Sequence, residues 1–444
     1  MRFFLVALMM LESVVSTALA DWPQFRGSDG QGHSSATGLP LKWNEGQNIG
    51  WKVAVEGKGW SSPVVAGNQI WMTTALPIMA TPEEATKWLA GIASAVPSPE
   101  VARSVTLKAV CLDRSTGRLL RTVTLIDRDK PIQICSVNSY ASPTPVIKDG
   151  RLYCDFGTMG TTCMETATGK ILWERCIPIQ HRVGPGSSPI VYKDLFVIVR
   201  DGCVAQYVMA LDKNTGKTVW KTDRPPIEAS RPDVNKSFST PLMIDGSDKK
   251  QGGKKQLVVM GARWLCSYEP ESGKPLWQVD TGPSFSNASR PVFGHGMIFI
   301  CTAYGGSELY AVRVNGQGDV TDTHVAWKTN KQTPQMSSPL LLGDEIYFVS
   351  DRGVANCLDA RTGQQHWTKR VLGKCSASPI AADGRIYFFD EEGKTVVIQP
   401  GKEFVSLAEN QLDGKVLASP AVADRAIFFR TATHLYRIEE PRVR

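Results

Sequence analysis

The sequence predicts an all-β fold, an eight-bladed β-propeller of four-stranded blades closed by the N-terminal segment completing the last blade. Three observations carry this. The stretch Ala210–Trp220 turns at Thr215-Gly216 and reaches Trp220 four residues after the glycine. The same step recurs from Gly169 to Trp173, Gly273 to Trp277 and Gly363 to Trp367. A second marker, a small residue followed by proline, opens each unit: Ser62-Pro63, Ser142-Pro143, Ser188-Pro189, Thr240-Pro241, Ser338-Pro339, Ser378-Pro379 and Ser419-Pro420, with Arg290-Pro291 in the remaining slot. These starts lie 40 to 52 residues apart except for one gap of 80, and about 40 residues is the length of a propeller blade. Third, short β-branched and aromatic runs alternate with Asp-Gly and Thr-Gly turns, as strands and hairpins do.

In chain order, residues 1–20 have the form of a signal peptide. Arg2 is followed by the apolar run Phe3–Leu11 and by Ala18-Leu19-Ala20, a small-x-small cleavage signal. The run is too short for a membrane span. The mature chain, 21–444, is then expected to be one propeller domain, exported to the periplasm or beyond. Residues 21–37 read as an extended arm. Leu39–Val55 has outer-strand character with no inner strands of its own, whereas Ser419–Ile438 has inner strands and no outer one. Joining the two closes the ring and removes its exposed edges.

Blade one departs from the pattern in a helical insertion at 76–104. Thr81-Pro82-Glu83-Glu84 is a helix start, with Thr81 as N-cap, Pro82 at the first position and Glu84 closing a capping box. Trp88, Leu89, Ile92 and Ala95 follow at helical spacing. Such a helix either patches the side of blade one or forms a lid over the axial mouth. Blades three and six are the clearest units. Blade seven lacks the Thr-Gly-Trp ending, so its outer strand is the least defined.

Composition is that of an ordinary globular chain: 444 residues, 42% hydrophobic, 21% charged. The net charge of +7 is spread out, with Lys249-Lys250 and Lys254-Lys255 as its nearest approach to a cluster, so nucleic acid is not an expected partner. Ten cysteines occur without C-x-x-C or Cys/His metal spacing. Cys111, Cys163 and Cys357 share one strand position, which suits packing. Cys154 and Cys163 would face each other across blade two if Gly157–Gly160 were a four-residue loop, making a disulfide possible.

The motif Ala210-x-Asp212-x-x-Thr215-Gly216-Lys217-x-x-Trp220 resembles the tryptophan-docking motif of quinoprotein-like propellers. That family includes the quinoprotein alcohol dehydrogenases and a bacterial outer-membrane assembly lipoprotein. The opening Asp21-Trp22-Pro23-Gln24-Phe25-Arg26-Gly27 is similar to secreted bacterial proteins of PQQ-like repeat, or PQQ-binding-like, type. The resemblance implies that Trp173, Trp220, Trp277 and Trp367 stack between blades. It also implies either a ligand-binding or protein-assembly module of the bacterial envelope, or alternatively a PQQ-dependent dehydrogenase with a calcium-held quinone at the axial mouth. No cysteine follows the cleavage signal, so a lipid anchor is not expected. The adjacent cysteine pair that lies against the quinone in the dehydrogenases is absent, so no cofactor is expected either.

No catalytic constellation is visible: G-x-S-x-G and H-E-x-x-H are both missing. Binding, of envelope proteins or of a small polar ligand, is expected on the face carrying the strand starts and the second-to-third-strand hairpins. Its candidates are Trp60, Asn138, Tyr140, His181, Arg263, Trp264, Arg290 and Asp351, with Arg200, Asp201, Tyr304, Arg352, Asp390 and Glu391 also on hairpin tips. Arg290 sits where every other blade has Ser or Thr. Pointing down the axis, it needs an anion or a carboxylate such as Asp351 beside it.

Overall fold

The computed structural model describes residues 21–90, 99–229, 231–246 and 254–441. The proposed signal peptide, the Lys249-Lys250 pair and the Ile92 and Ala95 positions lie outside them. Eight antiparallel sheets of four principal strands succeed one another along the chain. Blade one comprises Val64–Ala66, Gln69–Met79, Ala102–Asp113 and Leu119–Asp129. Blade eight takes three strands from Ala421–Ile438 and its fourth from Ile49–Ala54, which pairs antiparallel with His434–Ile438. The ring therefore closes with the two ends of the chain sharing one sheet. Blade seven does have an outer strand, Val405–Gln411, paired on Lys394–Gln399. Blade four gains a short parallel addition, Gly318–Asp319.

The core lies between blades. Strands alternate side chains across the sheet, so each blade contributes one face to each neighbour. In blade two, Leu152, Cys154 and Met164 pack with Trp71 and Leu107 of blade one, while Tyr153, Cys163 and Trp173 pack with Phe196 and Met209 of blade three.

This alternation corrects the cysteine pairing. The loop is 156–160, a 3-10 turn over Gly157–Met159, and Asp155 rather than Phe156 faces Thr161. Cys154 is thus opposite Thr162, and Cys163 opposite Tyr153. A shift of one residue sends the two thiols to opposite faces, and both are free.

Blade two also starts two residues later than its first proline suggests. Its inner strand is Val146–Lys148, preceded by Thr144-Pro145. The reason is a ring of hydrogen bonds on the axis. Ser62 N donates to Thr144 Oγ1 at 2.9 Å, Thr144 N to Ser188 Oγ at 2.9 Å, and Ser188 N to Thr240 Oγ1 at 3.0 Å. Arg290 N continues to Ser338 Oγ at 2.9 Å, Ser338 N to Ser378 Oγ at 3.0 Å, and Ser378 N to Ser419 Oγ at 2.9 Å. A hydroxyl at this position satisfies the neighbouring blade's backbone donor, and Ser142 stands outside the ring.

On the outside, tryptophans reach across the seams. A Cβ on Gly216 would lie 2.8 Å from Trp173, and one on Gly273 would lie 2.4 Å from Trp220. Each indole Nε1 donates into the turn of the next blade: Trp173 to Lys213 O at 2.9 Å, Trp220 to Pro270 O at 3.0 Å, Trp367 to Gly401 O at 3.0 Å. Trp327 on Gly363 and Trp51 on Gly117 do the same, donating to Ala360 O and Arg114 O. Two expected members differ. Trp277 donates within its own blade, to Gln256 Oε1 at 2.8 Å, and Gly169 meets Val123 and Arg121 instead of an indole.

Candidate functional site

Each blade's second-to-third hairpin and its connection to the next blade emerge at one end of the ring, the axial mouth. The opposite end carries the first-to-second hairpins and the Thr-Gly turns. The N-terminal arm crosses the axis along the inner strands. Trp22 pairs with Val65, Pro23 O accepts from Ile147 N at 2.8 Å, and Ser34 N donates to Ala381 O at 2.9 Å.

The sequence-derived candidates at the mouth are held mostly by one another's loops. Trp60 Nε1 donates to Val137 O at 3.2 Å. Asn138 Nδ2 donates to Val183 O at 2.8 Å and Pro185 O at 3.2 Å, and its Oδ1 accepts from Ser142 Oγ at 2.6 Å. This asparagine staples the connection after blade one to the connection after blade two. Tyr140 is buried and donates its hydroxyl to Ile132 O at 2.9 Å. Its phenol is pushed up by burial and by the Glu100 charge.

Arg263 clasps Asp280 through Nε and Nη2, the closest approach being 2.6 Å, and its guanidinium lies over the Trp264 ring. Trp264 Nε1 donates to Pro226 O at 3.1 Å. Asp351 accepts from Gln335 N at 3.0 Å and Met336 N at 3.3 Å. Burial raises its carboxyl. Asp351 does not pair with Arg290, whose guanidinium runs down the axis to Pro241 O at 3.1 Å and Phe25 O.

His181 is buried against Phe238, with ring centres 5.0 Å apart. Desolvation first, then the nearby Arg200 and Lys236 charges, push its imidazole down to about 3. Arg200 itself is locked bidentate on Asp155, both contacts 2.7 Å, and Asp201 accepts from Arg224 Nε at 2.7 Å. Buried pairs of this kind hold the hairpins of blades two and three in place. Sequence reasoning missed Asp155, Arg224 and Arg26. For Asp155 the one signal was a charged residue ending a mostly apolar strand, and Arg26 and Arg224, outside the strands, carried none.

Beside exposed charges such as Arg352 and Lys374, the mouth also exposes apolar side chains. Val204 is 73% exposed, Ile78 60%, Val137 54%, Met79 47%, Tyr304 47% and Met336 41%. All sit on mouth-side hairpins or connections. The insertion supplies two of them, because its strands run on to pair Met79 with Ala102 before the helix begins. That helix, Pro82–Leu89, carries the Thr81 capping box and rests on blade one itself. Glu84 meets Arg103 at 3.0 Å, and Lys130 Nζ lies 5.6 Å from the Trp88 ring centre.

The residues present do not fit a calcium-held quinone. Among the described residues no three His, Cys, Asp or Glu side chains converge. The oxygen donors Asn138, Asp351 and Glu391 are committed to backbone, hydroxyl and lysine groups. A calcium site needs six to eight convergent oxygens.

A family model described as outer membrane protein assembly factor BamB matches residues 108–369, with overlapping matches at 319–417 and 351–439. The assembly factor BamB of Vibrio cholerae is 22% identical over 312 residues, covering 58% of this chain and 74% of that protein. The solved BamB of Moraxella catarrhalis superposes with a TM-score of 0.53 at 13% identity, over 77% of this chain and 95% of that one. Quinohemoprotein alcohol dehydrogenase from Comamonas testosteroni gives 0.62 at 10% identity, over 95% of this chain and 81% of that one. At such identities the two structures speak for the fold alone. With its repeat, closed ring and matched model, the chain belongs to the PQQ-like repeat family of β-propellers that the assembly-factor model describes.

Proposed function

We propose that this chain is an exported propeller, residues 21–444 behind a leader at 1–20, that docks proteins of the bacterial envelope on its axial mouth. The observation that carries this is the set of exposed apolar side chains ringing that face: Ile78, Met79, Val137, Val204, Tyr304 and Met336. Exposed apolar side chains on the loop-bearing face of a propeller suit a protein interface. Asn138, Tyr140, Arg263 and Asp351 beside them are already hydrogen-bonded, so they shape loops more than they seek ligands. The names of the relatives, outer membrane protein assembly factors, support a partner among envelope assembly proteins. Among the described residues no helix is long and apolar enough to cross a membrane.

The test is a comparison of two faces. Val204→Asp with Tyr304→Asp at the mouth should reduce co-purification with envelope assembly proteins at least tenfold. Val219→Asp, on an exposed outer strand, should leave it unchanged. Equal retention by both variants refutes the mouth as the docking face. Quinone-dependent dye reduction after adding PQQ and calcium would instead favour the dehydrogenase reading.

A further inference from the structure

The inner ring is interrupted at Ser62, whose Oγ has no partner, and at Arg290, which offers no hydroxyl to Thr240 N. Its guanidinium turns into the hub, where the N-terminal arm brings Arg26. The two are 2% and 1% exposed. Every acceptor they reach is a neutral carbonyl. Arg290 Nε donates to Pro241 O at 3.1 Å and Nη1 to Phe25 O, while Arg26 Nη2 donates to Pro339 O at 2.8 Å and Gln31 O at 2.5 Å. Arg26 Nε and Nη1 are buried without any hydrogen bond.

The nearest acid does not serve them. Asp29 is held by His33 Nδ1 at 2.7 Å and Gln31 N at 2.8 Å. Among the described residues neither guanidinium has a carboxylate within ion-pair reach. The arm is shaped to lie on both groups: a Cβ on Gly30 would come within 2.5 Å of Arg290 Nη2, and one on Gly32 within 2.7 Å of Arg26 Nη2.

Burial alone pushes Arg26 down to about 10 against the help of Asp29. Burial and then the Arg26 charge push Arg290 down to about 9. A guanidinium gives up its proton almost never, so both remain cations. Two desolvated like charges, one of them with unpaired donors, are costly unless a counter-charge sits between them.

We infer that Arg26 and Arg290 together hold a compact oxyanion of phosphate or sulfate size at the hub, where the arm crosses the axis. Such an ion takes single charge-assisted hydrogen bonds, from an unpaired Arg26 donor and from the Arg290 guanidinium, and the anion ties the arm to blade five. This site is independent of docking at the mouth.

The experiment uses the mature chain refolded in a buffer whose only anion is a bulky organic sulfonate. Inorganic phosphate at one hundred times its dissociation constant should raise the melting temperature by about 3 °C, and calorimetric titration should show one phosphate per chain. Arg290→Ser restores the hydroxyl pattern of the ring, so it should fold and lose both responses. No titration heat in the wild type overturns the site. So does an equal phosphate response in Arg290→Ser, since stabilisation would then be general exclusion of the salt. The same rise with equimolar chloride overturns the oxyanion assignment.

Discussion

At the scale of single residues, the seam between blades depends on a glycine facing an indole. Gly273 has φ +70°, and a Cβ there would lie 2.4 Å from Trp220. Gly150 has φ +71° with nothing within 4 Å. Alanine at Gly150 should cost about 1 kcal/mol for backbone strain alone. Alanine at Gly273 should cost at least about 2 kcal/mol, because overpacking of the seam adds to it. Urea melts of the two variants measure the difference, and equal losses would mean that the indole contact contributes nothing. His181 makes a second residue-level prediction. The folded state keeps it neutral down to about 3, whereas its ordinary value is 6.5. Below pH 6.5 the unfolded chain therefore binds the extra proton, and stability falls with pH until the folded pKa is reached. Above 6.5 the group contributes no slope. His181→Gln should flatten the stability curve between pH 6.5 and 4, by up to about 3 kcal/mol at pH 4. Superimposable wild-type and variant curves would refute the buried neutral imidazole.

At the scale of elements, the insertion in blade one is a surface addition to a long hairpin. Its helix buries no residue fully, and its ties among the described residues include the Glu84–Arg103 and Lys58–Glu100 pairs, Trp88 beneath Lys130, and Pro99–Glu100 on Ile134–Cys135. Exposed pairs of this kind contribute little. Joining Met79 to Ala102 through a tight turn should lower the melting temperature by no more than about 2 °C. A fall as large as that of Trp220→Ala, about 3–5 kcal/mol, would show that the helix is part of the packing. The helix start was legible in Thr81-Pro82-Glu83-Glu84 because capping is local chemistry. The extension of the flanking strands to Met79 and Ala102 was not, since pairing partners lie far apart in sequence. The start of blade two shows the same limit. Pro143 and Pro145 are equivalent locally, and only the neighbouring blade's N–H groups select Thr144.

At the scale of the molecule, closure is the decisive contact. Ile49–Ala54 covers the edge of His434–Ile438, and Trp51 bridges the last seam onto Gly117. A chain beginning at residue 56 would expose that edge and open the ring. It should lose cooperative unfolding and associate, which sedimentation velocity will show. Adding residues 21–55 as a separate peptide should restore a monomer. A truncated chain that stays monomeric with an unchanged melt would remove closure as the source of stability.

The sequence by itself determined the repeat, the blade number and the join between the two chain ends, and it marked four turn glycines of which 216, 273 and 363, but not 169, meet an indole. Periodic apolar strands and turn residues write these locally, once per unit. Tertiary structure alone decided the register in blade two, the indoles at Trp51 and Trp327, and the partners of the mouth residues. A hydrogen bond or ring contact across a seam depends on which residues a neighbouring blade presents, and no local pattern contains that. The hub belongs to both. Arg290 stood out as an exception in a ring of hydroxyls, but only the path of the arm shows that Arg26, not a carboxylate, lies beside it.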